Sequence, residues 1–261
     1  MEEKKMNISG SGVIKSNIYD EEINISGSGR IEGDIRCISL HASGSVSASG
    51  NVECTGGIHI SGSGKFEGNV SCSDMHVSGS VFSADLTAKN DIRISGTCRT
   101  TGDIRSKEIR VSGGIYTDGA VKCDTVKISG KAECGSLDAE HFASSGQFRI
   151  SGLLNVGTAD IKLTRGRDVS TAGSIGGTNI RVEKGNDGVT VLFGIFNRGK
   201  HGTLTVDESI EGDDIYLENT ACPLVIGKNV TVGEGCRIEK IQYSDNYVIK
   251  GDAYVAEAEI I

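Results

Sequence analysis

The stretch ISGSGRIEGDI, residues 25–35, is the clearest copy of a unit that returns along the first half of the chain. Its core is a tripeptide, a small or aliphatic residue followed by Ser-Gly, and the interval between copies is constant except at one place, where it is longer by one. A fixed period of this size is typical of a solenoid, in which each coil buries its apolar side chains only by stacking on its neighbours. The copies are Ile8-Ser9-Gly10, Ile25-Ser26-Gly27, Ala42-Ser43-Gly44, Ile60-Ser61-Gly62, Val77-Ser78-Gly79, Ile94-Ser95-Gly96, Val111-Ser112-Gly113 and Ile128-Ser129-Gly130.

Apolar positions inside the unit indicate strands rather than helices. Around the tripeptide at residues 25–27, aliphatic residues stand two positions before, six after and ten after its first residue, at Ile23, Ile31 and Ile35. Even spacings place side chains on one face of a strand, whereas a helix needs apolar residues every three or four positions and tolerates so much glycine poorly. A corner glycine follows at Gly33, with Asp next to it. We therefore predict an all-β fold, a single-stranded parallel β-helix with about 17 residues per coil.

The regularity of the repeat suggests three segments. Residues 1–6 form a short charged tail, residues 7–152 a regular β-helix that ends in a degenerate copy, and residues 153–261 a divergent β-rich extension with insertions. In the extension, residues 174–182 resemble residues 209–217 at an offset of 35, which corresponds to about two coils. Residues 189–195 are predicted to form a strand pair and residues 197–202 an exposed loop.

Composition excludes several classes of function. The net charge is −8, which argues against nucleic acid as a partner because phosphate binding requires clustered Lys and Arg. No apolar run approaches the length that spans a bilayer, and residues 1–6 lack the apolar stretch of a signal peptide, so we expect a cytoplasmic protein with reduced cysteines. The chain has no Trp, which is unlike the aromatic platforms of carbohydrate-cleaving β-helices.

Cysteines and histidines of the repeat are candidate site residues. Cys37, Cys54, Cys72 and Cys123 share one position of the repeat, with Lys89 and Ser106 in the intervening coils. A metal or redox ladder is one interpretation; a column of small side chains that stack well is the favoured one. The histidines stand at different offsets and are not expected to build one site; they are His41, His59, His76 and His141.

No catalytic motif stands out, so the sequence predicts neither enzyme activity nor a cofactor or metal. The alternative is an acyltransferase of the hexapeptide-repeat type in residues 204–261, because apolar residues recur every six positions at Ile226, Val232 and Ile238. Such an enzyme needs a base, for which His201 is the candidate. A third hypothesis, an adhesin-like solenoid outside the cell, conflicts with the absence of an export signal.

The repeated unit, best seen at residues 25–35, resembles the bactofilins, a family of bacterial polymer-forming cytoskeletal proteins. The resemblance covers residues 7–152. It implies a right-handed β-helix that assembles end to end into filaments without nucleotide and serves as a scaffold in cell shape or in the placement of other proteins. Membrane attachment in the family uses a short apolar N-terminal segment. Residues 1–6 have only two methionines among four charges, which argues against direct membrane binding here.

The predicted function is therefore self-assembly, with the chain itself as the main partner and client proteins as partners of residues 153–261. The polymerisation interface is predicted at the first coil, where Ile8, Ile14 and Ile18 lie and where an uncovered strand edge can template pairing with another chain. In the register of the repeat, Ile18 is expected to stack on Ile35.

Overall fold

The computed structural model describes residues 4–18, 21–164, 166, 168–185 and 201–261, with the backbone alone at residues 4, 17 and 18. All regular elements in these ranges are β-strands, and the prediction of an all-β fold is confirmed. The strands are β1 Lys4–Ile8, β2 Ser11–Ile18, β3 Glu21–Ile25, β4 Ser28–Cys37, β5 Ser39–Ala42, β6 Ser45–Ala48, β7 Val52–Cys54, β8 Ile58–Ile60, β9 Ser63–Phe66, β10 Val70–Val77, β11 Ser80–Ser83, β12 Leu86–Ile94, β13 Thr97–Thr100, β14 Ile104–Arg105, β15 Glu108–Val111, β16 Gly114–Thr117, β17 Ala120–Ile128, β18 Lys131–Cys134, β19 Ser136–Ser144, β20 Gln147–Leu163, β21 Val169–Lys184, β22 Thr203–Val206, β23 Ser209–Leu217, β24 Thr220–Val232, β25 Arg237–Ile249 and β26 Tyr254–Ile260.

Backbone contacts divide the chain into two units. The first comprises Met1–Val126 with Lys131–Gly135, and the second comprises Lys127–Gly130 with Ser136–Ile261. The predicted boundary after residue 152 rests on the regularity of the sequence and stays a prediction. Residues 4–6, which the sequence analysis assigns to a charged tail, belong to β1 and pair with β3.

The first unit is a parallel β-solenoid whose rungs, one coil of chain each, stack in register. One column of the core starts at Met6 in β1 and continues through residues that are fully buried. Because each of these side chains lies directly on its equivalent in the next rung, the apolar surface of one rung is covered by the neighbouring rungs, as the repeat predicts. The buried members are Ile23, Leu40, Ile58, Met75, Ile92 and Ile109.

The Ser-Gly tripeptides lie in a single file. The amide of Ser45 donates to the carbonyl oxygen of Gly27 at 2.9 Å, and the amide of Ser80 donates in the same way to Gly62 at 2.9 Å. A side chain on Gly79 would place its Cβ closer than 3.0 Å to the backbone of the preceding tripeptide. The glycine of the tripeptide is therefore needed for close approach of the rungs. Among the described glycines of the first unit, only the corner residue Gly33 has a positive φ of the kind that favours glycine, 82°.

Single-residue slips in the backbone register alter two predicted stacks. A shift between Lys15 and Asn17 pairs Ile18 with Arg36, so the expected pairing of Ile18 with Ile35 is wrong. A second shift, after Cys72, pairs that cysteine with Ala88 in β12, so Lys89 does not occupy the cysteine column. Both slips occur because a corner holds one residue more or fewer than in the neighbouring rung, a change that the constant spacing of the tripeptides conceals.

The second unit is also a parallel β-solenoid, but its rungs differ in length. Neighbouring rungs pair Leu137 with Leu154, Leu154 with Ile175, and Ile175 with Ile210. The offset of 35 is therefore one rung with an insertion, not the two coils predicted from the sequence. The later rungs are shorter, since Ile210 pairs with Val225. The predicted strand pair at residues 189–195 and most of the predicted loop at 197–202 lie outside the described residues.

Candidate functional site

The first edge of the solenoid is formed by β1 and β2. β1 pairs with β3, and β2 pairs with β4. Within the described part of the chain, no strand pairs with the other side of either one. An uncovered edge presents backbone N–H and C=O groups that a strand of another chain can pair with. These two strands carry the three residues predicted for the polymerisation interface.

The side chains at this edge show where the core is incomplete. Met6 and Ile8 are half-buried, although the residues on which they stack, Ile23 and Ile25, are 0% and 1% exposed. Ile14 is 3% exposed and belongs to the core of the first rung. The structure thus brings Ile8 and Ile14 to the edge in β1 and β2. Ile18 lies in β2 as well, where only the backbone is described.

A second edge is formed by β25 and β26, at the other end of the described chain. Within the described ranges, β26 pairs only with β25. Ile249 stacks on Val232, which is 0% exposed, but is itself 48% exposed. Val255 stacks in the same way on the buried Ile238 and is half-buried. Within the strands that the structure describes, the core columns of the second unit therefore also end on apolar side chains that no further rung covers.

Exposed apolar residues concentrate at this second edge. Half of the large hydrophobic side chains that are exposed in the described chain fall within residues 248–261, so exposure there is not scattered as on an ordinary surface. This surface was not predicted from the sequence. The sequence pattern that could have predicted it is the almost even spacing of Val225, Ile241 and Ala258, which occupy the same position in successive rungs up to β26. The exposed residues are Val248, Ile249, Tyr254, Ile260 and Ile261.

The outermost segments of the two edges differ in charge. Residues 4–18 contain three lysines and no acidic residue, whereas residues 251–261 contain three acidic residues and no basic one. At the second edge, Gln242 donates a hydrogen bond of 2.6 Å to Glu259 and Lys240 lies 2.8 Å from the same carboxylate. Both contacts lower the pKa of Glu259, the hydrogen bond from Gln242 most strongly.

Three histidines form a column on the outer face of the first unit. His41, His59 and His76 pair in register on β5, β8 and β10, with ring centroids 4.7 and 4.6 Å apart. The expectation that they stand at different offsets is wrong, since each directly precedes the first residue of a Ser-Gly tripeptide. His141 is outside the column, where its Nδ1 lies 2.7 Å from the hydroxyl of Thr158.

One histidine of the column, His59, is expected to make the stability of the first unit depend on pH. Burial lowers the pKa of His59 below 6.5, with smaller contributions in the same direction from His41 and His76, and Asp74 opposes the shift. When the pKa of a histidine is lower in the folded than in the unfolded state, its contribution to stability is complete at pH values above the unfolded pKa. This contribution is lost as the pH falls below the unfolded pKa.

We expect the melting temperature to fall between pH 7.5 and 5.5 by a few degrees more in the wild type than in His59→Gln, measured by circular dichroism. His141→Gln is the control; a pH dependence equal to that of the wild type in both variants would contradict the prediction.

The residues predicted for a hexapeptide-type acyltransferase do not form a recognisable catalytic site in the described ranges. Ile226 and Val232 lie in β24 and Ile238 in β25, two successive strands of the same parallel solenoid. His201 is half-buried, with its Nδ1 3.3 Å from the carbonyl oxygen of Leu163. In the described ranges, no group of three or more His, Cys, Asp or Glu side chains is arranged to hold a metal ion. No helix in those ranges is long and apolar enough to cross a membrane.

Comparisons with known proteins give matches in the part of the chain that contains the Ser-Gly repeat. A family model described as "Bactofilin: Polymer-forming cytoskeletal" matches residues 2–80 and 38–122. Two proteins of Bacillus subtilis strain 168 are similar in part. The one named "Uncharacterized protein YhbF" is 45% identical over 92 residues, 35% of this chain and 34% of the relative. The one named "Uncharacterized protein YhbE" is 36% identical over 107 residues, 41% of this chain and 42% of the relative. No solved structure gives a significant match.

Proposed function

The chain belongs to the bactofilin family through its residues 2–122, and from this premise we propose that its copies polymerise end to end into a cytoskeletal scaffold. The family is a structural, cytoskeletal one, which supports a scaffold role for this chain. The proposed contact joins uncovered strand edges and uses no nucleotide.

One observation carries the proposal: the core columns stop at both edges on apolar side chains that a further rung would cover. Ile8 and Ile249 are partly exposed, although the side chains below them, Ile25 and Val232, are 1% and 0% exposed. The occupant that fits such an edge is another rung of the same kind, because each rung already packs on its neighbours in parallel register. A second copy of this chain supplies that rung.

Charge favours contact between unlike edges. Three lysines at the first edge face three acidic residues when residues 4–18 of one copy meet residues 251–261 of the next. Contacts between like edges would bring equal charges together, which is destabilising. A contact of unlike edges does not close on itself and therefore produces an open polymer.

The proposed role of the polymer in the cell is inferred from the role of the bactofilin family. The polymer serves in the cytoplasm in cell shape or in the placement of other proteins, and residues 153–261 are the part that differs from the regular repeat and is available to client proteins. The acyltransferase alternative is not proposed further, because no observation of the described residues favours it.

The proposal is tested by electron microscopy and sedimentation of the purified chain without nucleotide. We expect filaments for the wild type and none for Ile249→Asp, because the carboxylate would have to be buried between two rungs. Leu153→Asp is the matched control, since Leu153 is exposed to a similar degree, 46% against 48%, but lies in β20, which pairs with strands on both sides. A wild type that remains monomeric at high concentration, or an Ile249→Asp variant that still forms filaments, would overturn the proposal.

A further inference from the structure

The column of cysteines contains one pair whose sulfur atoms touch. Cys37 at the end of β4 pairs in register with Cys54 at the end of β7, and their Sγ atoms are 3.0 Å apart. Both side chains point into the core and are 2% and 3% exposed. None of the eight cysteines forms a disulfide in this structure. We propose that Cys37 and Cys54 are a modification site at which a peroxide forms a disulfide between two adjacent rungs.

Backbone geometry suits this bond. Neighbouring strands of a sheet lie about 4.8 Å apart, which falls inside the range of Cα separations that a disulfide spans, about 4.4–6.8 Å. The two sulfur atoms must approach each other by about 1 Å to reach the bonded distance of about 2.05 Å. Side-chain rotation supplies a movement of this size, so the rungs keep their register when the bond forms.

The hydrogen bond between the two thiols favours reaction at Cys37. Either thiol can donate in this contact, and when Cys37 is ionised Cys54 is the donor; this hydrogen bond lowers the pKa of Cys37 and outweighs the opposing effect of burial. The thiolate is the form of cysteine that reacts with peroxides. Burial instead raises the pKa to about 12 at Cys72, Cys98 and Cys134, which keeps these side chains protonated.

The reaction takes place in two balanced steps. The Cys37 thiolate attacks one oxygen of hydrogen peroxide, the O–O bond breaks, and hydroxide leaves, so the sulfur becomes a sulfenic acid. The Cys54 thiol loses its proton to the hydroxide and attacks the Cys37 sulfur, the S–O bond breaks, and a second hydroxide leaves and takes up the proton that the Cys37 thiol released when it ionised. In total, two thiols are oxidised to one disulfide and one peroxide is reduced to two waters.

The position of the pair gives the bond a structural consequence. It closes a loop of one rung near the first edge of the solenoid, and such a closure restricts the unfolded chain. Because both thiols are buried, peroxide reaches them through local opening of the rungs near that edge. We therefore expect slow oxidation that raises the melting temperature of the first unit and is reversed by dithiothreitol.

Mass spectrometry tests the proposal on the full chain. After treatment with hydrogen peroxide, remaining thiols are alkylated in denaturant and the protein is digested with trypsin. Cys37 and Cys54 lie on one tryptic peptide, residues 37–65, which contains no methionine, whereas Cys72 lies on the next, residues 66–89. We expect two of the eight thiols to disappear and the first peptide to lose two hydrogen atoms and escape alkylation.

Two variants control the assignment. Cys54→Ser is expected to form no disulfide and to leave Cys37 as a sulfenic acid that dimedone traps, and Cys98→Ser, which removes another buried thiol, is expected to form the disulfide as the wild type does. Eight alkylated thiols in the peroxide-treated wild type would overturn the proposal, as would a link that joins peptides 37–65 and 66–89. The wild-type peptide map decides between these outcomes even if a variant does not fold.

Discussion

Gly79→Ala is expected to destabilise the protein by about 3 kcal/mol or more, at the upper end of the cost of overpacking. The new Cβ would lie closer than 3.0 Å to the carbonyl oxygens of Ser61 and Gly62 and to the carbonyl carbon of Gly62. These are backbone atoms in a stacked rung, so they cannot rotate away as the end of a side chain does. Relief requires the rungs to separate, which weakens the hydrogen bond from Ser80 to Gly62. Thermal unfolding followed by circular dichroism measures the loss.

The chain contains a matched control for this substitution. Gly10 occupies the same position of the first tripeptide, and no atom lies within 4 Å of the site of its Cβ. The intrinsic preferences of glycine and alanine are the same at both positions, so the difference between Gly79→Ala and Gly10→Ala isolates the contact between rungs. We expect Gly10→Ala to leave the melting temperature nearly unchanged. Equal losses in the two variants would show that close stacking of the tripeptides is not what requires glycine.

The repeat made most of the first unit predictable. The spacing of the Ser-Gly tripeptides fixes how much chain forms a rung, and the aliphatic residues around each tripeptide then identify the core columns, as for Ile23 and Leu40. This works because every rung solves the same packing problem with the same residue types. Corners were less predictable. A corner can gain or lose one residue without disturbing the tripeptides, and this is how Ile18 came to pair with Arg36 and Cys72 with Ala88.

Two further features escaped sequence reasoning for physical reasons. The histidine column was overlooked because the step from His41 to His59 is longer by one than the step from His59 to His76, so their common position emerges only when each is counted from its own tripeptide. The edge at β25 and β26 was overlooked because no Ser-Gly tripeptide marks the later rungs, and each step from Ile210 to Val225, Ile241 and Ala258 is one residue longer than the step before it. Pairing of strands, rather than period, defines the rungs there.

Substitutions at the two edges, Ile8→Asp and Ile249→Asp, are expected to abolish polymerisation one at a time. A carboxylate buried between two rungs without a partner costs several kcal/mol, and about 3 kcal/mol already weakens association about a hundredfold. Each side chain is partly exposed in the single chain and lies in the outermost rung, so the inner rungs keep their packing. Circular dichroism at matched concentration checks that both variants are folded, and Met6→Asp replaces Ile8→Asp if the first rung is lost.

Mixing the two variants distinguishes how the copies join. If unlike edges join, each variant alone is a monomer, because every contact involves one damaged edge. An equimolar mixture then forms dimers and stops, since the intact second edge of Ile8→Asp meets the intact first edge of Ile249→Asp. If like edges join, each variant alone already forms a dimer through its intact edge, and mixing adds nothing. Analytical ultracentrifugation separates the two patterns.

The opposite charges of residues 4–18 and 251–261 predict that unlike edges join. The dimers in the mixture are then expected to dissociate more readily as salt is added. Dimers of the single variants would show that like edges join and that charge does not select the contact.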